Sequence, residues 1–463
     1  MAAGDAATVA RRRLAVTRGW VEALRSRDQL GDSSLARLSL TQAEVNPADS
    51  PDMGRTRLRA AAVYSILVWQ ARPAVSADVT YGVGQEFDAD SVSRISSAEI
   101  GTDKFVVCYA DDQTAQCRAA TVSGTVASFG SEIEVDPDIV GGTDVEYNLA
   151  VCRLADDKFG VVYASDSVYD GYVRIGSVSG TTITLGSALQ FETGDAEWIG
   201  CENIGADKFV VAYDDETDSD SGKAVVCVAA GIVASCGAPT RYHGSTDYYA
   251  KYNSPARLAT DKFMTAFESE DDDDGYMIAA TVSGTTPSFG AAVKFSADNP
   301  NELAACSPPS DDDRFVVVYR NVASAAGQAI AGTTSGTTIT LGAVTDFNPT
   351  SGDVHWPACS FTDRTHFVVA YEDVASGQHG KSALCEVDWS TRLISCHSDE
   401  TFAALNVGSQ TQGADTEQRV IETISGYGTR AKVVVGYVED ADGDDGMVTL
   451  GLLPRRRRVW LVR

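Results

Sequence analysis

The chain has 463 residues, 44% hydrophobic and 22% charged, with a net charge of −28, so it has ample material for a core and wholesale disorder is excluded. No run of 18 apolar residues occurs, and the longest apolar stretch, Ala60 to Trp69, is too short to cross a bilayer. Residues 1–72 hold 11 Arg against 7 acidic residues and residues 455–463 hold 5 Arg and no acid, which leaves −37 on the body between them and argues against nucleic-acid or anionic-lipid binding there.

In chain order, residues 1–72 contain an imperfect small repeat: RLAVTRGWVEAL from Arg13, RLSLTQAEV from Arg37 and RLRAAAVYSILVW from Arg57. Each begins Arg-Leu and continues with apolar alternation; the first also fits an amphipathic helix through Leu14, Val21 and Leu24. Arg11 to Arg13 are not followed by the apolar stretch of a secretory signal. This basic segment reads as a small N-terminal anchor domain.

A stronger repeat organises the rest: DKFVVCY from Asp103, DKFGVVY from Asp157, DKFVVAY from Asp207, DKFMTAF from Asp261, DRFVVVY from Asp313, THFVVAY from Thr365 and, more weakly, AKVVVGY from Ala431. The Phe positions are 50 to 54 residues apart, a period that fits propeller blades. Four strands fit one period, in the second copy A (148–154), B (158–164), C (171–178) and D (181–191). Their Val, Ile, Phe, Tyr and Thr content and alternation favour strand over helix. The C–D connection recurs as Val-Ser-Gly-Thr from Val122, Val178 and Val282 and as Thr-Ser-Gly-Thr from Thr334, a hairpin turn.

The last copy supplies only three strands, at 417–424, 432–438 and 446–452. The fourth is found at the other end of the body, where TYGVGQEF from Thr80 matches the strand D pattern of ITLGSALQF from Ile183 and PSFGAAVKF from Pro287. Pairing that strand with the last blade removes the exposed edges of an open array. The expectation is an all-β protein, a seven-bladed β-propeller over 73–454 whose N-terminal strand closes the last blade, flanked by the anchor at 1–72 and a basic C-terminal tail at 455–463.

Cys227 and Cys236 fall on strands C and D of the third copy, and Cys385 and Cys396 at the matching places of the sixth. Elsewhere the same places hold Ala120 with Phe129, Gly176 with Leu185, Ala280 with Phe289 and Gly332 with Leu341. A small residue facing a large one, or Cys facing Cys, is what two side chains filling one cross-strand space would show. Disulfides Cys227–Cys236 and Cys385–Cys396 are therefore expected, and with them an oxidising final environment. Cys152, Cys201, Cys306 and Cys359 all lie on strand A and read as free core thiols.

The B–C connections are acidic: DDETDSDSG from Asp214, ESEDDDDG from Glu268 and EDADGDDG from Glu439. Their Asp-x-Asp spacing resembles a calcium loop, but Gly is offset and no Glu stands at the twelfth position, so solvated hairpin tips are the reading and calcium the alternative. No zinc-ligand spacing, Ser-His-Asp series, P-loop or dinucleotide turn is present, and the chain reads as no enzyme and without a cofactor. Strand alternation places all long B–C and D–A connections on one face and all short turns on the other, from which both basic ends should leave. Tyr147, Trp198, Tyr248, Tyr249 and Trp356 fall in D–A connections of four blades. They are the candidate binding residues, gathered around the mouth of the central channel, with ordinary core caps as the competing reading.

The segment LAVTRGWVEAL from Leu14 resembles the Val-Thr-Gln-x-x-Val-Glu-Val-Leu segments near the N-termini of tailed-phage virion proteins, with Arg18 in place of Gln and Ala23 in place of Val. The Phe-Val-Val-x-Tyr and Val-Ser-Gly-Thr blades are similar to repeats of phage and marine bacterial surface proteins. The resemblance implies a virion structural protein, a tail, fibre or appendage component, found extracellularly after release. It further implies contacts with other virion proteins through residues 1–72 and 455–463, assembly as a homo-oligomer in the particle, and an exposed propeller contacting a host surface glycan or protein. A secreted bacterial carbohydrate-binding propeller is the alternative, and a glycan-cleaving enzyme a third reading.

Overall fold

The structure, a computed structural model, describes residues 40–41, 66–67, 79–89, 92–111, 114–136, 148–165, 169–218, 221–243, 249–309, 312–348, 352–406, 420–424, 432–439 and 445–453. The chain divides into two compact units, Met1–Val75 with Arg457–Arg463, and Ser76–Arg456. In the first, Leu40–Thr41 pairs antiparallel with Ile66–Leu67. The segment that also fits a helix through Leu14, Val21 and Leu24 lies outside the described residues, as do the rest of 1–72, those two strands apart, and residues 455–463.

The second unit contains seven antiparallel sheets among the described residues, each with strands in the order A, B, C, D. In the second blade these are Leu149–Ala155, Lys158–Ala164, Gly171–Ser179 and a strand D made of Thr182–Leu185 and Leu189–Gln190. In the last blade A, B and C are Val420–Ile424, Lys432–Glu439 and Asp445–Leu452. Its strand D is Thr80–Tyr81 with Gln85–Asp88, placing Thr80 opposite Leu452 and Gln85 opposite Val448. The fold is a seven-bladed β-propeller.

The core repeats with the sequence. Phe105, Phe159, Phe209 and Phe315 and the tyrosines four positions on, Tyr109, Tyr163, Tyr213 and Tyr319, are all buried. Each Phe faces the strand C member of the variable pair recognised in the sequence: Phe159 stands opposite Gly176, which stands opposite Leu185. A Cβ on Gly176 would meet the Phe159 ring at 2.3 Å, so strand C must be small there. Adjacent blades are also tied by an ion pair from the Lys of one A–B turn to the Asp of the next, as in Lys158–Asp207 at 2.8 Å and Lys262–Asp313 at 2.6 Å.

Strand D, read from the sequence as one strand, is broken in two, and the cause is the neighbouring blade. At the break stands a glycine over which the next blade's C–D turn is seated: a Cβ on Gly186 would lie 1.8 Å from Ile232 O, and one on Gly130 2.1 Å from Thr181 O. The same relation joins Gly237 to Thr285, Gly290 to Thr337, Gly342 to Arg392 and, across the ring closure, Gly82 to Thr125. The sixth blade carries His397 at this position, its N–H bonded to strand C as the glycine N–H groups are. The blade beside it is the seventh, whose strands C and D come from opposite ends of the body and share no turn.

All ten cysteines are paired. Cys227–Cys236 and Cys385–Cys396 join directly opposed residues of strands C and D, with Cα atoms 4.0 Å apart. Cys108–Cys117 joins strands B and C of the first blade. The four strand-A cysteines are not free thiols: Cys152–Cys201 and Cys306–Cys359 link strands A of neighbouring blades, with Cα separations of 5.6 and 5.9 Å. Strands A converge toward the axis, where successive blades approach within bonding distance. Their rows are staggered by one, Cys152 standing opposite Gly160 but Cys201 opposite Val211, so equivalence within the repeat does not reveal the partnership.

Candidate binding site at the central channel

Strand A is the innermost strand of each blade, and those of the first six blades together wall a cavity of about 720 Å³, within the range of small-molecule sites. In five blades strand A carries a β-bulge near its start. The ladder skips between Ser93 and Ser96, Glu197 and Gly200, Lys251 and Ser254, Asn301 and Ala304, and His355 and Ala358. Within each bulge one residue has left-handed backbone: Arg94 (φ 51°), Trp198 (52°), Tyr252 (55°), Glu302 (50°) and Trp356 (50°). Such conformations cost a bulky residue roughly 1–3 kcal/mol and persist where the surroundings impose them, commonly at functional sites; bulges re-aim side chains.

Four of these residues, Trp198, Tyr252, Glu302 and Trp356, line the cavity and come from four consecutive blades, the third to the sixth. Trp198 and Tyr252 meet edge to face with centroids 4.5 Å apart. Glu302 is buried, and its carboxylate accepts the Trp356 backbone N–H at 2.6 Å and faces His355 Nδ1 at 3.0 Å. Toward the A–B turns the wall becomes polar. Glu99 lies 3.6 Å from Arg153, and Arg257 Nη1 donates to Asn203 Oδ1 at 3.0 Å. Beside them burial pushes the Glu202 carboxyl up to about 7, the charge of Arg257 partly opposing it.

Of the residues singled out in the sequence, Trp198 and Trp356 reach the channel, but from inside strand A rather than from the D–A connection. Tyr249 does not line the cavity: its hydroxyl donates to Glu216 Oε1 at 3.4 Å and Lys251 lies over its ring. Tyr147 and Tyr248 lie outside the described residues. Tyr252 and Glu302 were missed. Counting back from the strand-B Phe finds the first, because Trp198, Tyr252 and Trp356 all stand 11 residues before Phe209, Phe263 and Phe367. Glu302 escapes that count because the A–B connection of its blade is longer.

Several carboxylates of the acidic B–C loops are engaged where described. Asp215 pairs with Lys223 and accepts from Thr217; Asp214 accepts the Ala250 N–H at 2.8 Å; Asp272 accepts from Tyr276 at 2.7 Å. Among the described residues no group of three or more His, Cys, Asp or Glu side chains converges as a metal ion needs.

No protein-family model matches the chain, and no curated protein does. Similar solved structures include Sqt1 of Chaetomium thermophilum bound to the N-terminus of ribosomal protein L10, 12% identical over 82% of this chain and 100% of that one, TM-score 0.44. The fucose-specific lectin of Aleuria aurantia is 12% identical over 67% of this chain and 96% of its own, TM-score 0.42. The polysaccharide lyase Uly1 is 8% identical over 80% and 90%, TM-score 0.48. At these identities and scores they bear on neither ligand nor activity.

Proposed function

We propose that this protein is a glycan-binding propeller whose ligand enters the channel over Trp198, Tyr252 and Trp356. The observation that carries this reading is the repeated bulge, which holds large aromatic residues in left-handed backbone in the third, fourth and sixth blades and turns them to one cavity. A ligand suited both to flat aromatic faces and to the polar wall of Glu99, Asn203, Glu202 and Arg257 has an apolar ring face and a hydroxylated edge, and a sugar has both. Binding rather than cleavage is favoured because Glu302, the carboxylate within the aromatic arc, is already engaged by Trp356 and His355. Screening the purified full chain against a panel of bacterial surface glycans tests this. Retention of a sugar supports it, and hydrolysis or lyase products would move the reading to catalysis.

The setting proposed for this propeller is a tailed-phage particle, with residues 1–72 as the attachment segment. Supporting it are the resemblance of the segment from Leu14 and the concentration of positive charge at the two ends of the chain. A chain beginning at residue 73, which keeps Thr80–Tyr81 and Gln85–Asp88, should fold yet fail to enter particles; incorporation of that shortened chain would contradict the assignment.

A further inference from the structure

Trp356 owes its position to a neighbour in the preceding blade. The bulge between His355 and Ala358 removes Trp356 from the strand ladder, so its N–H needs an acceptor elsewhere. Glu302 Oε2 supplies it at 2.6 Å. The other oxygen, Oε1, faces His355 Nδ1 at 3.0 Å, and the second ring nitrogen, Nε2, lies 3.5 Å from Asp353 Oδ2. The His355 ring therefore stands between two carboxylates. A protonated imidazole donates to both, whereas a neutral one donates to only one.

The charged groups packed around this cluster are few. From strand B of the fifth blade Arg320 binds Asp353 at 2.9 Å and approaches Glu302 at 3.9 Å. From strand B of the fourth comes buried Glu268, near Lys251 and sensing Glu302; from strand B of the sixth comes Glu372, opposite His355.

We infer that Glu302 is the positioning residue of the aromatic arc, and that the proton on His355 sets how firmly Glu302 holds Trp356, so that ligand retention weakens as the medium turns from mildly acidic to alkaline. The inference rests on the channel reading above. Burial acts against the imidazolium, but the hydrogen bond and charge of Glu302 outweigh it and raise the His355 pKa above its ordinary 6.5. Burial likewise pushes the Glu268 carboxyl up to about 7. Raising the pH through this range removes a positive charge beside Glu302 and adds a negative one nearby, and both changes act in the same direction.

The test needs no ligand. In the full chain carrying 5-fluorotryptophan, the Trp356 resonance is assigned by its loss in Trp356→Phe and followed across the neutral range. Expected is a titration step at Trp356 with the Trp198 resonance unmoved, retained in Glu268→Gln with a changed midpoint and lost in His355→Gln and Glu302→Gln. A flat Trp356 resonance, a step that survives His355→Gln unchanged, or a parallel shift of Trp198 would overturn the inference; should Glu302→Gln fail to fold, His355→Gln alone decides. Failure to find a glycan would leave the titration step in place and count against the channel reading instead.

Discussion

Lys432 of the seventh blade lies 2.5 Å from Asp103 of the first, although 329 positions separate them in the chain. The pair repeats the Lys–Asp contact made between Lys104 and Asp157 and between Lys208 and Asp261, so the junction where the ring closes is built like an internal one. Each Asp occupies left-handed backbone in its turn, a conformation that Asp tolerates better than most residues. Asp103 is 41% exposed, which places the pair among modest surface bridges. Lys432→Met should therefore lower stability by about 1 kcal/mol or less in denaturant unfolding, without altering the fold.

The glycine at the break of strand D should be far less tolerant. A Cβ on Gly186 meets backbone of the next blade, not a yielding side chain, and Gly186→Ala should cost about 3 kcal/mol, the upper end of ordinary overpacking. His397→Gly, at the matching place where no turn is seated, should change stability by less than about 1 kcal/mol. Chemical denaturation of the two variants checks the difference.

Peptide mapping without reduction should recover five cross-linked pairs, among them Cys152–Cys201 and Cys306–Cys359. These two close segments of 49 and 53 residues, against 9 for Cys227–Cys236. In the loop-entropy account the longer ones stabilise by on the order of 4 kcal/mol each and the shorter by about 3. Replacing both cysteines of Cys152–Cys201 by Ala should accordingly lower the melting temperature more than the same change at Cys227–Cys236.

Stability should fall as pH rises through neutrality. Burial raises the carboxyls of Glu202 and Glu268 from the ordinary 4.5 to about 7. A raised folded-state pKa contributes stability that is complete below the unfolded value and lost as pH climbs through the folded one. His355, also raised, acts in the same direction. Melting curves between mildly acidic and mildly alkaline buffer should show a falling Tm, flattened in the Glu202→Gln, Glu268→Gln double variant; a rising Tm across that window would contradict the burial of these groups.

Much of this fold was legible because its signals are local and repeated. The Phe and Tyr of strand B recur at nearly constant spacing, and the segment from Thr80 carries the strand D pattern strongly enough to be recognised far from its blade. The small-to-large exchange at Gly176 and Leu185 pointed to direct cross-strand neighbours because both lie in one hairpin. What stayed hidden depends on the ring. Cys152 and Cys201 are partners only because strands A converge with a staggered register. Trp198 and Trp356 stood out as aromatic residues between strands D and A, but an alternating sequence pattern carries no mark of left-handed backbone, so their place within a bulge, and the kinship of Tyr252 and Glu302 with them, emerged only in three dimensions.

The aromatic arc of the channel is proposed to bind a sugar. The most direct measurement is calorimetric titration, into the full chain and into its Trp198→Ala, Trp356→Ala double variant, of the glycan retained in the panel screen, with melting temperature recorded alongside. Saturable binding with one site per chain is expected, lost in the double variant while its melting temperature stays within a few degrees of the original. Undiminished binding by the double variant, or a collapse of its stability with affinity preserved in the folded fraction, would contradict it and return Trp198 and Trp356 to the role of structural caps.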